Sequence, residues 1–215
     1  MKYLPLSDHK HFFEKNGFIA FEELIPKSKI ELIYKTCDEI LEKRSKFEKN
    51  TPFVLGRDLW RENSFIKSWV LKKELAKIAS FLTSEKRLRI GYDQLLRTFD
   101  SPFIAQSFDT FRLDQASSVQ GIVCGLLLSL KKNQKINAFL PEDGGSGVFF
   151  SPTQFFSLKP LWETPDQSFL LITYTKEKAV YIFQNDDPHT HALKKHGYVF
   201  GDGLKCSLNP LLRLD

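Results

Sequence analysis

Cysteine is scarce in this chain, and none of it is paired by spacing. Cys37, Cys124 and Cys206 are odd in number and far apart, so they form neither a disulfide framework nor a Cys-x-x-Cys metal knuckle. Long apolar runs are missing too. The longest, around "GIVCGLLLSL", is shorter than the roughly 20 residues that cross a bilayer. Met1-Lys-Tyr-Leu-Pro does not open a secretory leader. These absences set the expectation of a cytoplasmic protein with reduced thiols and no membrane segment. A basic stripe with interleaved aromatics is also lacking. The net charge of +5 is spread among acids, as in "ELIYKTCDEILEKRSKFEK", which reads as a solvated helix face and argues against a nucleic-acid partner. There is no internal repeat and no low-complexity segment.

Familiar catalytic signatures are missing as well. "PEDGGSGVFF" is glycine-rich, but no Lys-Ser or Lys-Thr pair follows to make it a phosphate loop, so turn chemistry between two strands is the reading. "GGSGV" places glycines around Ser146 at the wrong spacing for a nucleophile elbow. The thiols have no histidine near them in sequence, and Cys124 lies in an apolar run that belongs to the core.

What is present is a packed core. A hydrophobic fraction of 42% with twenty phenylalanines fits a folded, β-containing protein, here a single domain over residues 1–215. Residues 1–85 read as mainly helical. Ser7 can cap a helix through "DHKHFFEKN" that Gly17 ends in a left-handed conformation. "FIAFEELI" reads as a short strand, and Ser28-Lys29-Ile30-Glu31 has capping-box spacing. Ile30, Ile33, Cys37, Ile40 and Leu41 then form one apolar helical stripe. A further helix is expected from Asn63 through "SFIKSWVLKKELAKIASFL", with Ile66, Trp69, Leu75, Ile78 and Leu82 near one face. From 86 to 215 the pattern is mainly β. Leu88, Ile90 and Tyr92 alternate, "VQGIVCGLLLSL" is a buried strand, and "GVFFSP" is another. "SFLLITYT" and "AVYIFQN" read as two strands joined by a hairpin tip at Lys176-Glu177-Lys178. Helices first and strands later make an α+β layout.

Chemistry concentrates in "NDDPHTHALKKHGYVFGDG", which holds three of the five histidines. Residues two apart share a face of an extended segment, so His189 and His191 could reach one metal ion, with Asp186 or Asp187 adding oxygen. Asn-Asp-Asp-Pro is turn chemistry, which leaves two other readings open: solvated loop histidines, or substrate binding without metal. "GYVFGDG" reads as a further strand and sets His196 apart from the pair.

"FFEKNGFIAFEELIPKSKIELI", "RDLWRENSFIKSWVLKKELAKIASFLTSEKRLRIGYDQLLRT" and "FLPEDGGSGVFFSP" together resemble the phytanoyl-CoA dioxygenase-like family of the Fe(II)/2-oxoglutarate oxygenase superfamily, over roughly residues 10–155. The resemblance implies a double-stranded β-helix, a jelly-roll or cupin-like core flanked by N-terminal helices. It implies oxidation by Fe(II), O₂ and 2-oxoglutarate, with two histidines and a carboxylate on the metal. The family's His-x-Asp reads Ser107-Phe108-Asp109 here, which puts Asp109 in the carboxylate position and serine where imidazole belongs. His189 or His191 then stands for the distal ligand, and Arg213 or Lys205 for the group that grips 2-oxoglutarate. Because of that serine, the expectation is a protein without the usual iron site that acts as a binding or regulatory module. Its small-molecule pocket would be lined by aromatics such as Tyr92, Phe111 or Phe150. The alternative is an oxygenase with rearranged ligands, and a partner-interaction protein with a filled barrel is a third reading.

Overall fold

The computed structural model describes residues 6–49, 52–97, 112–132, 139–155, 157, 164, 166–212 and 214. Helix α1 (Ser7–Asn16) ends as expected at Gly17, whose φ of 76° lets its amide bond back to the Phe13 carbonyl. Its N-cap is Leu6 and not Ser7, which lies inside the first turn. Strand β1 (Phe18–Phe21) follows, then α2 (Lys27–Ser45). The Ser28–Glu31 capping box does not form, because Pro26 occupies the cap and pre-sets the entry angle. The predicted stripe of Ile30, Ile33, Cys37, Ile40 and Leu41 is buried throughout.

Beyond α3 (Pro52–Leu55) and a 3-10 turn at Leu59–Arg61, the expected long helix is two: α4 (Ser64–Val70) and α5 (Lys73–Thr83). The Asn63 side chain caps α4 by accepting the amides of Phe65 and Ile66 at 2.9 and 3.0 Å. Lys72 is extended and breaks the run. The reason is periodicity. Val70 to Leu75 is a five-residue step, which a continuous helix cannot keep on one face.

Strands β2 (Leu88–Arg97), β3 (Val119–Ser129), β4 (Gly147–Phe150), β5 (Ser168–Tyr181) and β6 (Leu211–Leu212) complete an antiparallel sheet in the order β1-β4-β3-β5-β2-β6. The glycine-rich loop is the expected turn into β4: Ser146 N–H donates to the Asp143 carbonyl, and Gly145 has a φ of 91°. Lys176–Lys178 is not a hairpin tip. The chain runs straight on through β5, and those residues bulge out where the β3–β5 register jumps from Ile122↔Thr175 to Gln120↔Val180. "GYVFGDG" is likewise turns, with one bridge between Gly203 and Val180.

The helices cover one face of the sheet, where Leu126, Leu128, Phe149, Leu170, Ile172 and Tyr174 meet Ile33, Cys37, Ile66 and Ile78. The other face carries Tyr92, Leu96, Leu127, Phe150, Phe169 and Leu171, and residues outside the sheet such as Phe53, Leu113, Leu193 and Tyr198 cover it. We call this the inner face. Tyr92 was expected to share a face with Leu88 and Ile90, but a β2–β5 register shift between Ile90 and Asp93 inverts the alternation. Tyr92, Gln94 and Leu96 therefore point inward, and Asp93 and Leu95 turn toward the helices. Thr173 Oγ1 accepts the Tyr92 amide at 2.9 Å and donates to the Tyr92 carbonyl at 3.0 Å. Asn209 Nδ2 donates to the Ile90 and Gly91 carbonyls, both at 2.8 Å.

A side chain at Gly91 has no room: a Cβ there would lie 2.6 Å from Thr173 Oγ1 and 2.9 Å from Thr175 Cγ2. Gly91→Ala is expected to destabilise the protein by about 1–3 kcal/mol, the cost typical of overpacking. An unchanged urea midpoint would refute this close approach.

Candidate functional site

The segment 185–191 is folded by one carboxylate. Asp187, 2% exposed, accepts the His189 amide on Oδ1 at 2.8 Å and the Ser118 amide on Oδ2 at 2.7 Å. Its carbonyl accepts the Thr190 amide, and Thr190 Oγ1 accepts the amide of Gln184. The loop is thereby tied to the start of β3, with His189 carried under the protein surface. The His189 ring stacks on Phe53 at 5.2 Å, and its Nε2 has no hydrogen-bond partner.

Arg57 approaches from the other side. It is 9% exposed, its guanidinium carbon lies 3.1 Å from the Tyr92 ring centroid, and its Nε also has no partner. Among the described residues no carboxylate comes within 4 Å of this guanidinium, which is unusual for a buried cation. Gln94 donates from Nε2 to the carbonyls of Phe53 and Leu95 at 2.8 and 3.0 Å, and leaves its buried Oε1 unsatisfied. Three buried polar atoms with nothing to bond converge on one region. Buried polar atoms are ordinarily satisfied, so among the described residues these three are open to water or to a ligand.

Arg57, Pro188 and His189 form a wall between two spaces. Inside, against Tyr92, Gln94, Leu96 and Leu171, lies a cavity of about 30 Å³, room for a water or two. Outside lies a cleft of about 390 Å³, within the usual size range of small-molecule sites. Arg44, Asp58, Arg61, Glu62, Lys195 and His196 line its rim. Most rim charges are matched: Arg44 with Glu62 at 2.9 Å, Arg61 with Asp58 at 3.3 Å, and Lys195 with Glu48 at 3.6 Å. Arg57 supplies the unmatched positive charge at the bottom.

His189, His191 and His196 all line this cleft, so the fold gathers the three clustered histidines, including the one set apart by its sequence context. They differ in character. His191 is exposed, with its ring against Phe183 and Phe200, and His196, also exposed, is the last residue of the 3-10 helix Ala192–His196. Lys205 is also exposed, pairs with Asp202 at 3.5 Å, and lines neither space. Asp109, Phe111 and Arg213 lie outside the described residues. Tyr92 and Phe150 lie in one inner-face layer, and Tyr92 also borders the cavity. Arg57 and Gln94 were not read as functional. Gln94 sits in the "DQ" of the family resemblance, whereas no local motif marks Arg57.

His189 is chemically suited to hold a metal or accept a hydrogen bond. Burial, helped by the Arg57 charge, pushes its imidazole down to about 3, so near neutral pH it keeps a free lone pair. Asp187 has already committed both oxygens to backbone amides, and no three described His, Cys, Asp or Glu residues converge as a metal site.

No protein-family model matches the chain, and no curated protein matches it by sequence. The fold does match solved structures of non-haem, 2-oxoglutarate-dependent enzymes. The carbocyclase SnoK of nogalamycin biosynthesis superposes with a TM-score of 0.71 at 12% identity, over 97% of each chain. The epimerase SnoN, in a complex with Fe³⁺, α-ketoglutarate and nogalamycin RO, gives 0.67 at 11% identity, over 96% of this chain and 98% of that one. A further solved structure, that of CT296 from Chlamydia trachomatis, gives a TM-score of 0.54 at 20% identity, over 82% of this chain and 99% of that one. These likenesses show the fold. No helix among the described residues is long and apolar enough to cross a membrane.

A buried neutral histidine leaves a mark on stability. Unfolded, it takes up a proton below its ordinary value of 6.5, whereas folded it does so only near 3. The contribution is complete above 6.5 and is lost as pH falls toward 3, by about 1.4 kcal/mol per pH unit. His189→Phe should flatten this acid-side slope in denaturation curves between pH 6.5 and 4. An unaltered slope would mean that the ring is solvated.

Proposed function

We propose that the cleft binds a small carboxylate-bearing molecule of the 2-oxoglutarate class, with Arg57 gripping the carboxylate, in a chain built on the jelly-roll of the Fe(II)/2-oxoglutarate oxygenases. The observation that carries this reading is the Arg57 guanidinium. It is buried, has no carboxylate partner among the described residues, and sits at the bottom of a cleft of ligand size. Arginine matches a carboxylate with a planar fork of donors, and a buried pair of that kind is strong. Arg57 takes the part that family resemblance gave to Arg213 or Lys205. His189, which also lines the cleft, adds an imidazole to the polar recognition, while Gln94, Tyr92 and Phe53 border the small cavity behind the wall.

Iron-dependent oxidation is the second reading. The uncommitted lone pair of His189 favours it, as does the fold shared with SnoK and SnoN. The described residues supply part of an iron site and do not complete a triad. His189, His191 and Asp109 are the residues proposed to hold the metal, which when bound would supply the activation of O₂.

Calorimetry with 2-oxoglutarate, with and without anaerobically loaded Fe(II), tests both readings. Wild-type protein is expected to bind the diacid, and Arg57→Ala to bind it at least about tenfold more weakly, the equivalent of 1.4 kcal/mol. If wild type binds none under either condition, the ligand reading is lost. Iron uptake that persists unchanged in the His189→Ala, His191→Ala double variant would remove the oxygenase reading in this form.

A further inference from the structure

Behind the cleft wall lies a carboxylate that the ligand reading does not use. Asp93 is fully buried, and among the described residues no cation pairs with it within 4 Å. Its two oxygens accept the amides of Leu59 and Trp60, each at 3.2 Å, and its carbonyl accepts the Asp58 amide at 2.9 Å. The segment Arg57–Arg61 hangs from β2 by these three bonds and by the Leu95 amide on the Gly56 carbonyl at 2.9 Å, which together with the Asp58 bond makes an Arg57↔Gln94 bridge. Three of its residues, Arg57, Asp58 and Arg61, line the cleft. Asp58 is held in a left-handed conformation with a φ of 56°, and its Oδ1 lies 3.3 Å from both Trp60 Nε1 and Arg61 Nε.

We propose that Asp93 is a proton-operated support of the cleft wall, whose protonation loosens residues 57–61 and strengthens the hold of the cleft on an anion. The inference rests on the reading that the cleft takes a carboxylate ligand, and it supplies that site with a regulator. An ionised carboxylate can accept both amides. In a carboxylic acid one oxygen carries the proton and is a poorer acceptor, so one amide of the 3-10 turn is held less strongly. Protonation also removes a buried negative charge from behind Arg57.

The groups facing Asp93 are few. Arg57 and Asp58 come from the segment before the turn and Cys37 comes from α2, with Asp38 of α2 and Arg97 at the end of β2 facing Cys37 in turn. Burial pushes the Cys37 thiol well up, so it stays neutral and does not compete. Burial first, and Asp58 second, raise Asp93 to about 7, against the lowering effect of the two amides and Arg57. The switch therefore works around neutrality. The sign for stability is the reverse of that for His189: the contribution is complete below the ordinary value of 3.8 and is lost as pH rises toward 7.

Trp60 reports the event directly, because its amide and indole N–H donate to Asp93 and Asp58. Tryptophan emission titrated from pH 5.5 to 8.5, with Trp60→Phe to assign the signal, is expected to show a midpoint near 7. The transition should vanish in Asp93→Asn and move to lower pH in Asp58→Asn, which removes the facing charge. Wild-type affinity for 2-oxoglutarate should fall by about fivefold from pH 6 to pH 8, on the order expected for one partly screened charge. The affinity of Asp93→Asn should stay flat, which separates Asp93 from His191 and His196 on the cleft itself. A Trp60 signal flat across this range, or a transition that persists in Asp93→Asn, overturns the proposal. Absence of 2-oxoglutarate binding at every pH refutes the ligand reading instead, and the Trp60 titration still decides the role of Asp93.

Discussion

The register shift in β2 is the constraint on which the site depends. Had the strand kept strict alternation, Tyr92 would face the helices with Leu88 and Ile90, and Asp93 would lie on the inner face. The shift reverses this after Gly91. Tyr92 is then available for Arg57 to lie on, Gln94 borders the inner cavity, and Asp93 is turned back to hold residues 58–60. Such an irregularity costs ladder hydrogen bonds, and the fold replaces them from side chains. Thr173 bonds both polar groups of Tyr92, while Asn209 reaches back from near the chain end to the Ile90 and Gly91 carbonyls.

Two halves of the molecule meet at this point. The first half contributes α3 and the segment around the 3-10 turn, which bring Phe53, Arg57, Asp58 and Arg61. The second contributes the Asp187-centred loop, which brings Pro188, His189 and His191. The wall between cleft and cavity is assembled from both, so its chemistry belongs to neither segment alone. Among the described residues it combines a cation with no carboxylate within 4 Å and an imidazole kept neutral by burial, with the Gln94 amide oxygen unpartnered behind it. Charged and polar atoms left in that state are costly, and they persist where binding will satisfy them.

Much of the fold was legible because local rules produced it. The α2 stripe, the Gly17 termination, the Asn63 helix start and the strand runs of β2 to β4 all follow from periodicity and backbone freedom. The misreadings have two causes. Ser7 and Ser28 had the chemistry of caps, but neighbouring residues took the cap positions. Lys176-Glu177-Lys178 had the composition of a tip, but pairing with both β2 and β3 kept β5 running straight. Adjacent residues decided the caps, and non-local strand pairing decided the tip. The candidate site was legible in one part, the histidine cluster, and hidden in the rest. Arg57 stands in "GRDLWRE" with nothing local to distinguish it from a surface arginine.

The sequence by itself determined the order of helices and strands, the apolar faces of the helices and the gathering of histidines in one loop, because each depends on residues close along the chain. Only the tertiary structure decided which imidazole is buried and neutral, which arginine lies on an aromatic ring with no described carboxylate within 4 Å, and which way Tyr92 and Asp93 face. Burial, charge pairing and strand register arise between segments that lie tens of residues apart, and one displaced residue in β2 moves every later side chain to the opposite face.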